Sequence, residues 1–134
     1  MKSNGKINKI MKNLIICVDF DGTCVTHEYP NIGKEIGATE VLKEFINKGH
    51  KLILFTMRSG KELQDAINWF KEKDIPLFGV NENPEQHTWT SSPKPYAHIY
   101  IDDAAFGCPI KYDRVLSNRP FVNWDVIKTS LNEI

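Results

Sequence analysis

Cysteine, net charge and long apolar runs are all scarce in this 134-residue sequence. Its three cysteines, Cys17, Cys24 and Cys108, are odd in number and lack zinc-binding spacing, which favours reduced thiols in a cytoplasmic protein. Seventeen basic side chains balance seventeen acidic ones, so no broad surface for nucleic acid or anionic membrane is indicated. No stretch approaches the roughly 20 apolar residues of a membrane-spanning helix, and we expect a soluble protein.

The length predicts one domain. Residues 1–10 are polar and rich in lysine, and we expect them to form a disordered extension to a single domain spanning 11–134. The apolar run that follows these lysines ends at Asp19. It is too short for an export signal, and we interpret it as a core strand.

Hydrophobic spacing predicts helices over 38–49, 60–74 and the closing segment 122–134. Short apolar runs at 14–18, 50–57, 76–80 and 98–103 predict four strands. Strands alternating with helices indicate an α/β fold, a three-layer Rossmann-like open parallel sheet with helices on both faces. The loop 81–97 is long for a compact domain, which makes it a candidate for substrate contact.

The first predicted strand leads directly into two carboxylates, in "LIICVDFDGT" at 14–23. In open parallel sheets, ligands bind at the carboxyl ends of the strands, and other polar residues follow the second and fourth strands. Clustered carboxylates repel one another unless a cation lies among them, and all-oxygen ligands favour Mg²⁺. Phosphate chemistry is the natural hypothesis for residues Asp19, Asp21, Thr56, Arg58, Asp102 and Asp103, with Lys94 just upstream of the last strand.

Three segments, "DFDGT" at 19–23, "FTMRSG" at 55–60 and "KPYAHIYIDD" at 94–103, occur in this order. Together they resemble the four motifs of the haloacid dehalogenase-like (HAD) phosphohydrolases. The stretches between the motifs are too short to hold a cap domain. The resemblance therefore implies a capless HAD-like catalytic domain over 11–134. Such members often act on larger phosphorylated partners or need a second subunit for closure, so a homo-oligomer stays an open alternative.

The resemblance implies roles at the first motif. Asp19 would be the nucleophile that forms an aspartyl-phosphate. Asp21 would act as general acid toward the leaving oxygen and then as general base toward water. Gly22 and Thr23 would let backbone N–H groups approach the substrate phosphate closely.

The later motifs are given binding roles by the same resemblance. Thr56 would hydrogen-bond a phosphoryl oxygen, and Lys94 would neutralise the nucleophile and the transferring group. Arg58 either contacts the substrate phosphate or caps a neighbouring helix. Asp102 would complete the magnesium shell, and Asp103 would hold a metal-bound water or Lys94, although which of the two touches the metal stays open. The implied magnesium ligands are drawn from Asp19, Asp21 through its carbonyl, Asp102 and Asp103.

The leading functional hypothesis is a Mg²⁺-dependent phosphatase that hydrolyses a phosphomonoester. A receiver-like signalling domain also has an acidic cluster, a threonine and a lysine, but it carries its phosphorylated aspartate on a middle strand. A catalytically silent module that binds a phosphorylated ligand or protein is the other alternative. The sequence does not name the substrate, and zero net charge gives nucleic acid no support.

Overall fold

The predicted alternation of strands and helices is present in the structure, a computed structural model that describes residues 13–132. The extension predicted for 1–10 lies outside the described residues, and the single domain over 11–134 stays a prediction. The strands are β1 (Ile15–Val18), β2 (Lys51–Leu54), β3 (Gly79–Val80), β4 (Ile99–Ile101), β5 (Ile110–Lys111) and β6 (Phe121–Val122). The helices are α1 (Ala38–Asn47), α2 (Gly60–Glu72) and α3 (Trp124–Asn132), with a 3-10 helix at Gln86–Thr88.

Four of the strands form one parallel sheet in the order β3-β2-β1-β4. Val18, the last residue of β1, pairs with Leu54 of β2 and with Ile101 of β4. The chain steps from β1 outward to β3 and then crosses back to place β4 on the other side of β1. The carboxyl ends of β1, β2 and β4 therefore lie side by side, where a ligand crevice is expected.

The two faces of the sheet are covered differently. All three α-helices pack on the face that carries Ile16 and Val18, and their apolar residues share one core with it. On the other face, Cys17 and Ile53 pack with Ala97, which belongs to the crossover from β3 to β4. The three α-helices share one face, so within residues 13–132 the prediction of helices on both faces is met on the other face only by the 3-10 helix of the crossover. The predicted three-layer α/β architecture without a cap domain is confirmed. Its second outer layer is thin, because prolines keep the crossover from forming anything longer than the 3-10 helix.

The crossover 81–98 is held together by a buried side chain at its centre. Gln86 donates from Nε2 to the carbonyl oxygens of Ser92 (3.1 Å) and Lys94 (3.0 Å). Its Oε1 accepts the N–H of Tyr96 at 2.7 Å. A long loop therefore acquires a fixed shape, because its own backbone groups are satisfied by one amide.

A hairpin of two short antiparallel strands, β5 and β6, was not predicted from the sequence. Strands of two residues show no hydrophobic alternation that a sequence pattern could reveal. The hairpin supports the loop that follows β1, because the N–H of Val122 donates to the carbonyl of Gly22 at 3.0 Å. At the start of α3, the indole Nε1 of Trp124 donates to the carbonyl of Thr23 at 2.7 Å. Both bonds fix the backbone immediately after the two carboxylates.

Within residues 13–132, no helix has the length and apolar character needed to cross a membrane.

Replacing Trp124 with phenylalanine keeps one aromatic ring but removes the indole N–H and the volume of the second ring. The carbonyl of Thr23 would then lose its partner, which costs about 1–3 kcal/mol. We expect urea denaturation of Trp124→Phe to show a loss of unfolding free energy of at least this size, because the smaller side chain also leaves a cavity at this buried position. Lys128→Ala, an exposed change in the same helix, should stay within about 0.5 kcal/mol of the parent protein. Equal stability of the two variants would contradict a structural role for the indole bond.

Candidate functional site

A cavity of about 480 Å³ opens at the carboxyl edge of the sheet. Residues from three adjacent strand ends reach it: Asp19 follows β1, Thr56 follows β2, and Asp102 and Asp103 follow β4. The parallel pairing of β1 with both neighbours is the reason that these side chains converge. Six of the predicted site residues line the cavity, namely Asp19, Asp21, Thr56, Arg58, Asp102 and Asp103.

Three carboxylates meet at the centre of the site. One oxygen from each of Asp19, Asp102 and Asp103 lies within 4.8 Å of the others. The hydroxyl of the buried Thr23 links two of them, since its Oγ1 lies 2.9 Å from Asp19 Oδ2 and 3.2 Å from Asp103 Oδ1. The same hydroxyl accepts the N–H of Asp103 at 3.1 Å. The acidic cluster is therefore built into the loop structure and is not a chance grouping of surface side chains.

Burial and mutual repulsion shape the proton affinities of these carboxyl groups. Burial, followed by the charge of Asp102, raises the pKa of Asp19 to about 8. Burial also raises the pKa of Asp102. A cation placed among the three groups would relieve both effects. The all-oxygen donor set and its close spacing fit a hard divalent ion such as Mg²⁺, and Asp19, Asp102 and Asp103 are the residues whose side chains could hold it.

The carboxylate of Asp21 is not part of this cluster and forms a bidentate ion pair with Arg58. The Nε and Nη2 of Arg58 donate to the two carboxylate oxygens of Asp21, each at 2.8 Å. The remaining N–H groups donate to the carbonyl oxygens of Pro30 (3.2 Å), Asn31 (2.7 Å) and Glu62 (3.0 Å). Arg58 is only 2% exposed, and all five of its donors are engaged. Arg58 therefore has no free N–H group with which to contact a substrate phosphate, the first of its two predicted roles. Its hydrogen bonds instead hold the Asp21 carboxylate in place.

The backbone N–H groups of Gly22 and Thr23 are also engaged in hydrogen bonds within the protein. The N–H of Gly22 donates to Val25 O at 2.8 Å, and that of Thr23 donates to Phe20 O at 3.1 Å. The phosphate contacts predicted for these two amides therefore lack a free donor in this conformation. Gly22 is needed for another reason: its φ is +79°, and a Cβ there would lie 2.5 Å from Asp103 Oδ2. Its lack of a side chain lets the Asp103 carboxylate approach the turn.

Thr56 lines the cavity, and within residues 13–132 its hydroxyl donates to no acceptor. Its Oγ1 accepts the N–H of Arg58 at 3.1 Å, and its own N–H donates to Asn81 Oδ1 at 2.8 Å. The hydroxyl proton is left for an incoming oxygen atom. The arrangement agrees with the contact to a phosphoryl oxygen predicted for Thr56.

Lys94 is the predicted site residue that the structure does not bring to the others. It is exposed, it is absent from the cavity lining, and its Nζ lies 5.1 Å from the ring centroid of Tyr100. Tyr100 pairs with Cys17, whose side chain lies on the face of the sheet that the crossover covers. In the described part of the chain, no ion pair joins Lys94 to a carboxylate. Gln86 holds the backbone carbonyl of Lys94 within the crossover.

The cavity is completed by residues that the sequence analysis did not assign to it. His27 and Tyr29 come from the loop after the first motif, and Arg119 comes from the turn between β5 and β6. Arg119 had no detectable signal, because the hairpin that presents it was not predicted. His27 and Tyr29 follow the first motif closely, which is the one hint that the sequence offered.

Comparison with known proteins gave one informative result. Neither the protein families nor the curated proteins that were compared matched the sequence. A solved structure of a conserved protein from Bacteroides thetaiotaomicron is similar to this chain, with 35% sequence identity and a TM-score of 0.74. The similarity covers 91% of this chain and 92% of the other.

Replacing Arg58 with lysine tests its positioning role. Lysine keeps the charge but cannot reproduce the planar fork of the guanidinium, so the oxygen atoms of Asp21, Pro30 and Asn31 that it contacts would lose hydrogen-bond donors. We expect Arg58→Lys to lower the free energy of unfolding by about 3–5 kcal/mol in denaturant titrations. Arg114→Lys makes the same chemical change at an exposed position and should leave stability within about 0.5 kcal/mol. If both variants unfolded at the same denaturant concentration as the parent protein, the hydrogen bonds of Arg58 would not contribute to stability.

The raised pKa of Asp19 predicts the pH dependence of stability in metal-free protein. The folded state holds this proton up to about pH 8, whereas an ordinary aspartate releases it near pH 4. This contribution to stability is therefore present at low pH and is lost as the pH rises toward 8. In chelator, we expect the melting temperature of the parent protein to fall relative to that of Asp19→Asn over this range. Parallel curves for the two proteins would contradict the burial of an ionisable Asp19.

Proposed function

This chain belongs to the same family as the conserved Bacteroides thetaiotaomicron protein, and we propose that it is a HAD-type, Mg²⁺-dependent phosphatase acting on a phosphomonoester. The observation that carries the proposal is the cluster of Asp19, Asp102 and Asp103, whose carboxylate oxygens lie within 4.8 Å of one another at the sheet edge. The hydroxyl of Thr56 lines the same cavity. A cation-binding carboxylate group beside a free hydroxyl donor suits the transfer of a phosphoryl group.

Asp19 is the proposed nucleophile. One of its carboxylate oxygens attacks phosphorus, the bond from phosphorus to the leaving oxygen breaks, and an aspartyl-phosphate forms. Thr23 holds the other side of the carboxylate through the 2.9 Å contact with Oδ2, which fixes its orientation. Mg²⁺, when bound, supplies positive charge that stabilises the phosphoryl oxygens. Water then attacks the phosphorus of the aspartyl-phosphate, the bond from phosphorus to the Asp19 oxygen breaks, and phosphate is released as the free Asp19 carboxylate is regenerated.

Asp21 is the proposed proton carrier for both steps. It gives a proton to the leaving oxygen and later accepts one from the attacking water. Arg58 holds both oxygens of Asp21 at 2.8 Å, which fixes the carboxylate at the cavity wall. Each oxygen retains a further lone pair that can carry the proton. The ion pair therefore orients the group without using its whole capacity for hydrogen bonds.

The position of Lys94 favours one second candidate, a catalytically silent module that binds a phosphorylated ligand. A lysine beside the nucleophile would normally offset the charge of the transferring group, and Lys94 lies over Tyr100 instead. Binding without turnover needs no such charge at the reacting atom. The receiver-like alternative gains no comparable support, because the candidate nucleophile follows β1, the first strand of residues 13–132.

A cytoplasmic location belongs to the proposal as well. All three cysteines are unpaired, and burial raises the pKa of Cys17 to about 12. Buried thiols of this kind suit a reducing compartment.

Release of inorganic phosphate from a panel of phosphomonoesters tests the proposed activity. We expect turnover with Mg²⁺ and none with chelator, and Asp19→Asn should lower kcat on the order of 1000-fold or more, since the nucleophile is lost. Asp125→Asn, an exposed change in α3, is the matched control and should leave kcat unchanged. Full Mg²⁺-dependent turnover by Asp19→Asn would exclude the aspartyl-phosphate mechanism. Absence of turnover by the parent protein, with phosphate still bound, would favour the silent binding module.

A further inference from the structure

We propose that Arg119, in the turn between β5 and β6, binds the phosphoryl group of the substrate. The inference rests on the proposed function, because it assumes that a phosphate enters the cavity at the carboxylate cluster. It assigns to a residue outside the three sequence motifs the charge compensation that the family resemblance had implied for Lys94.

The first argument concerns which cations are free. The five N–H groups of Arg58 are all donated to protein oxygens, and Lys94 does not line the cavity. Arg119 does line it. Among the hydrogen bonds and ion pairs of residues 13–132, the only one involving Arg119 uses its backbone N–H. Of the two arginines that line the cavity within residues 13–132, Arg119 is therefore the one whose guanidinium makes no hydrogen bond or ion pair with the protein.

The second argument is one of charge. Asp19, Asp102 and Asp103, when ionised, exceed the two positive charges of one Mg²⁺ by one negative charge. A phosphate dianion entering this cavity would be repelled unless a further cation compensated it. Asp21 does not add to the excess, since Arg58 neutralises it. The guanidinium of Arg119 supplies the missing charge, and its planar fork matches two oxygens of a phosphate.

The third argument is that the turn carrying Arg119 has a defined position. The N–H groups of Leu116 and Ser117 both donate to Asp113 O at 3.0 Å. The hydroxyl of Ser117 accepts the N–H of Arg119 at 3.2 Å. Lys34 Nζ donates to Leu116 O at 2.8 Å, which links the turn to the loop that Arg58 also holds. Arg119 is therefore presented from an anchored turn.

Binding of inorganic phosphate measured by calorimetry in saturating Mg²⁺ tests the role of Arg119 without requiring turnover. We expect Arg119→Ala to raise the Kd for phosphate about 10- to 100-fold, the effect of losing a hydrogen bond to a charged group. Arg119→Lys should recover part of this loss, because it restores the charge but not the fork. Arg114→Ala removes an arginine from the same turn, outside the cavity, and should bind like the parent protein. Circular dichroism of each variant verifies folding, and Arg119→Gln provides a second variant of similar length.

Turnover separates the failure of this inference from the failure of the proposed function. In an active protein, Arg119→Ala should raise KM for phosphomonoesters by a similar factor, whereas Arg114→Ala should not. Phosphate binding by folded Arg119→Ala within twofold of the parent would overturn the assignment, even if the parent protein is an active phosphatase. A parent protein that binds no phosphate in Mg²⁺ would overturn it too. A further outcome is a parent protein that binds phosphate without any turnover. If Arg119→Ala then loses this binding, the role of Arg119 is supported and the proposed phosphatase activity is excluded.

Discussion

The buried guanidinium of Arg58 holds three separate parts of the site in one arrangement. It grips Asp21 after β1, the carbonyls of Pro30 and Asn31 in the following loop, and the carbonyl of Glu62 in the first turn of α2. Burying a charge is costly unless every donor finds a partner, and here every donor does. Because the loop it grips is also tied through Lys34 to the β5–β6 turn, the position of Arg119 depends indirectly on the same ion pair.

The carboxylate cluster lowers the stability of the fold, whereas the hydrogen bonds of Arg58 raise it. Asp19, Asp102 and Asp103 lie close together and partly out of water, and burial, followed by the charge of Asp102, raises the pKa of Asp19. A fold selected for stability alone would not collect three acids at one sheet edge. Their retention is explained if a cation and an anionic ligand complete the site. The hydrogen bonds of Thr23 then serve to hold the acids at a spacing that an ion can bridge.

Much of the fold and part of the site could be predicted because their signals are local. The four strands of the sheet and the three helices followed from hydrophobic periodicity, and the convergence of Asp19, Thr56 and the Asp102–Asp103 pair followed from the rule that parallel strands end at one edge. The β5–β6 hairpin could not be predicted, because two-residue strands carry no period. The thin second layer could not be foreseen in detail either, since its shape depends on the buried contacts of Gln86.

The sequence by itself determined which residue types follow each strand, and hence that oxygen ligands would gather at the carboxyl edge of the sheet. Tertiary structure alone decided which charged side chains face the cavity with free donors. Arg58 is engaged by carbonyls whose position depends on how a loop folds back, and Lys94 lies over the ring of Tyr100 and does not line the cavity. Arg119 enters from a hairpin distant in sequence. A local motif cannot report these outcomes, because a side chain's free hydrogen-bonding capacity depends on partners that only the folded chain brings near.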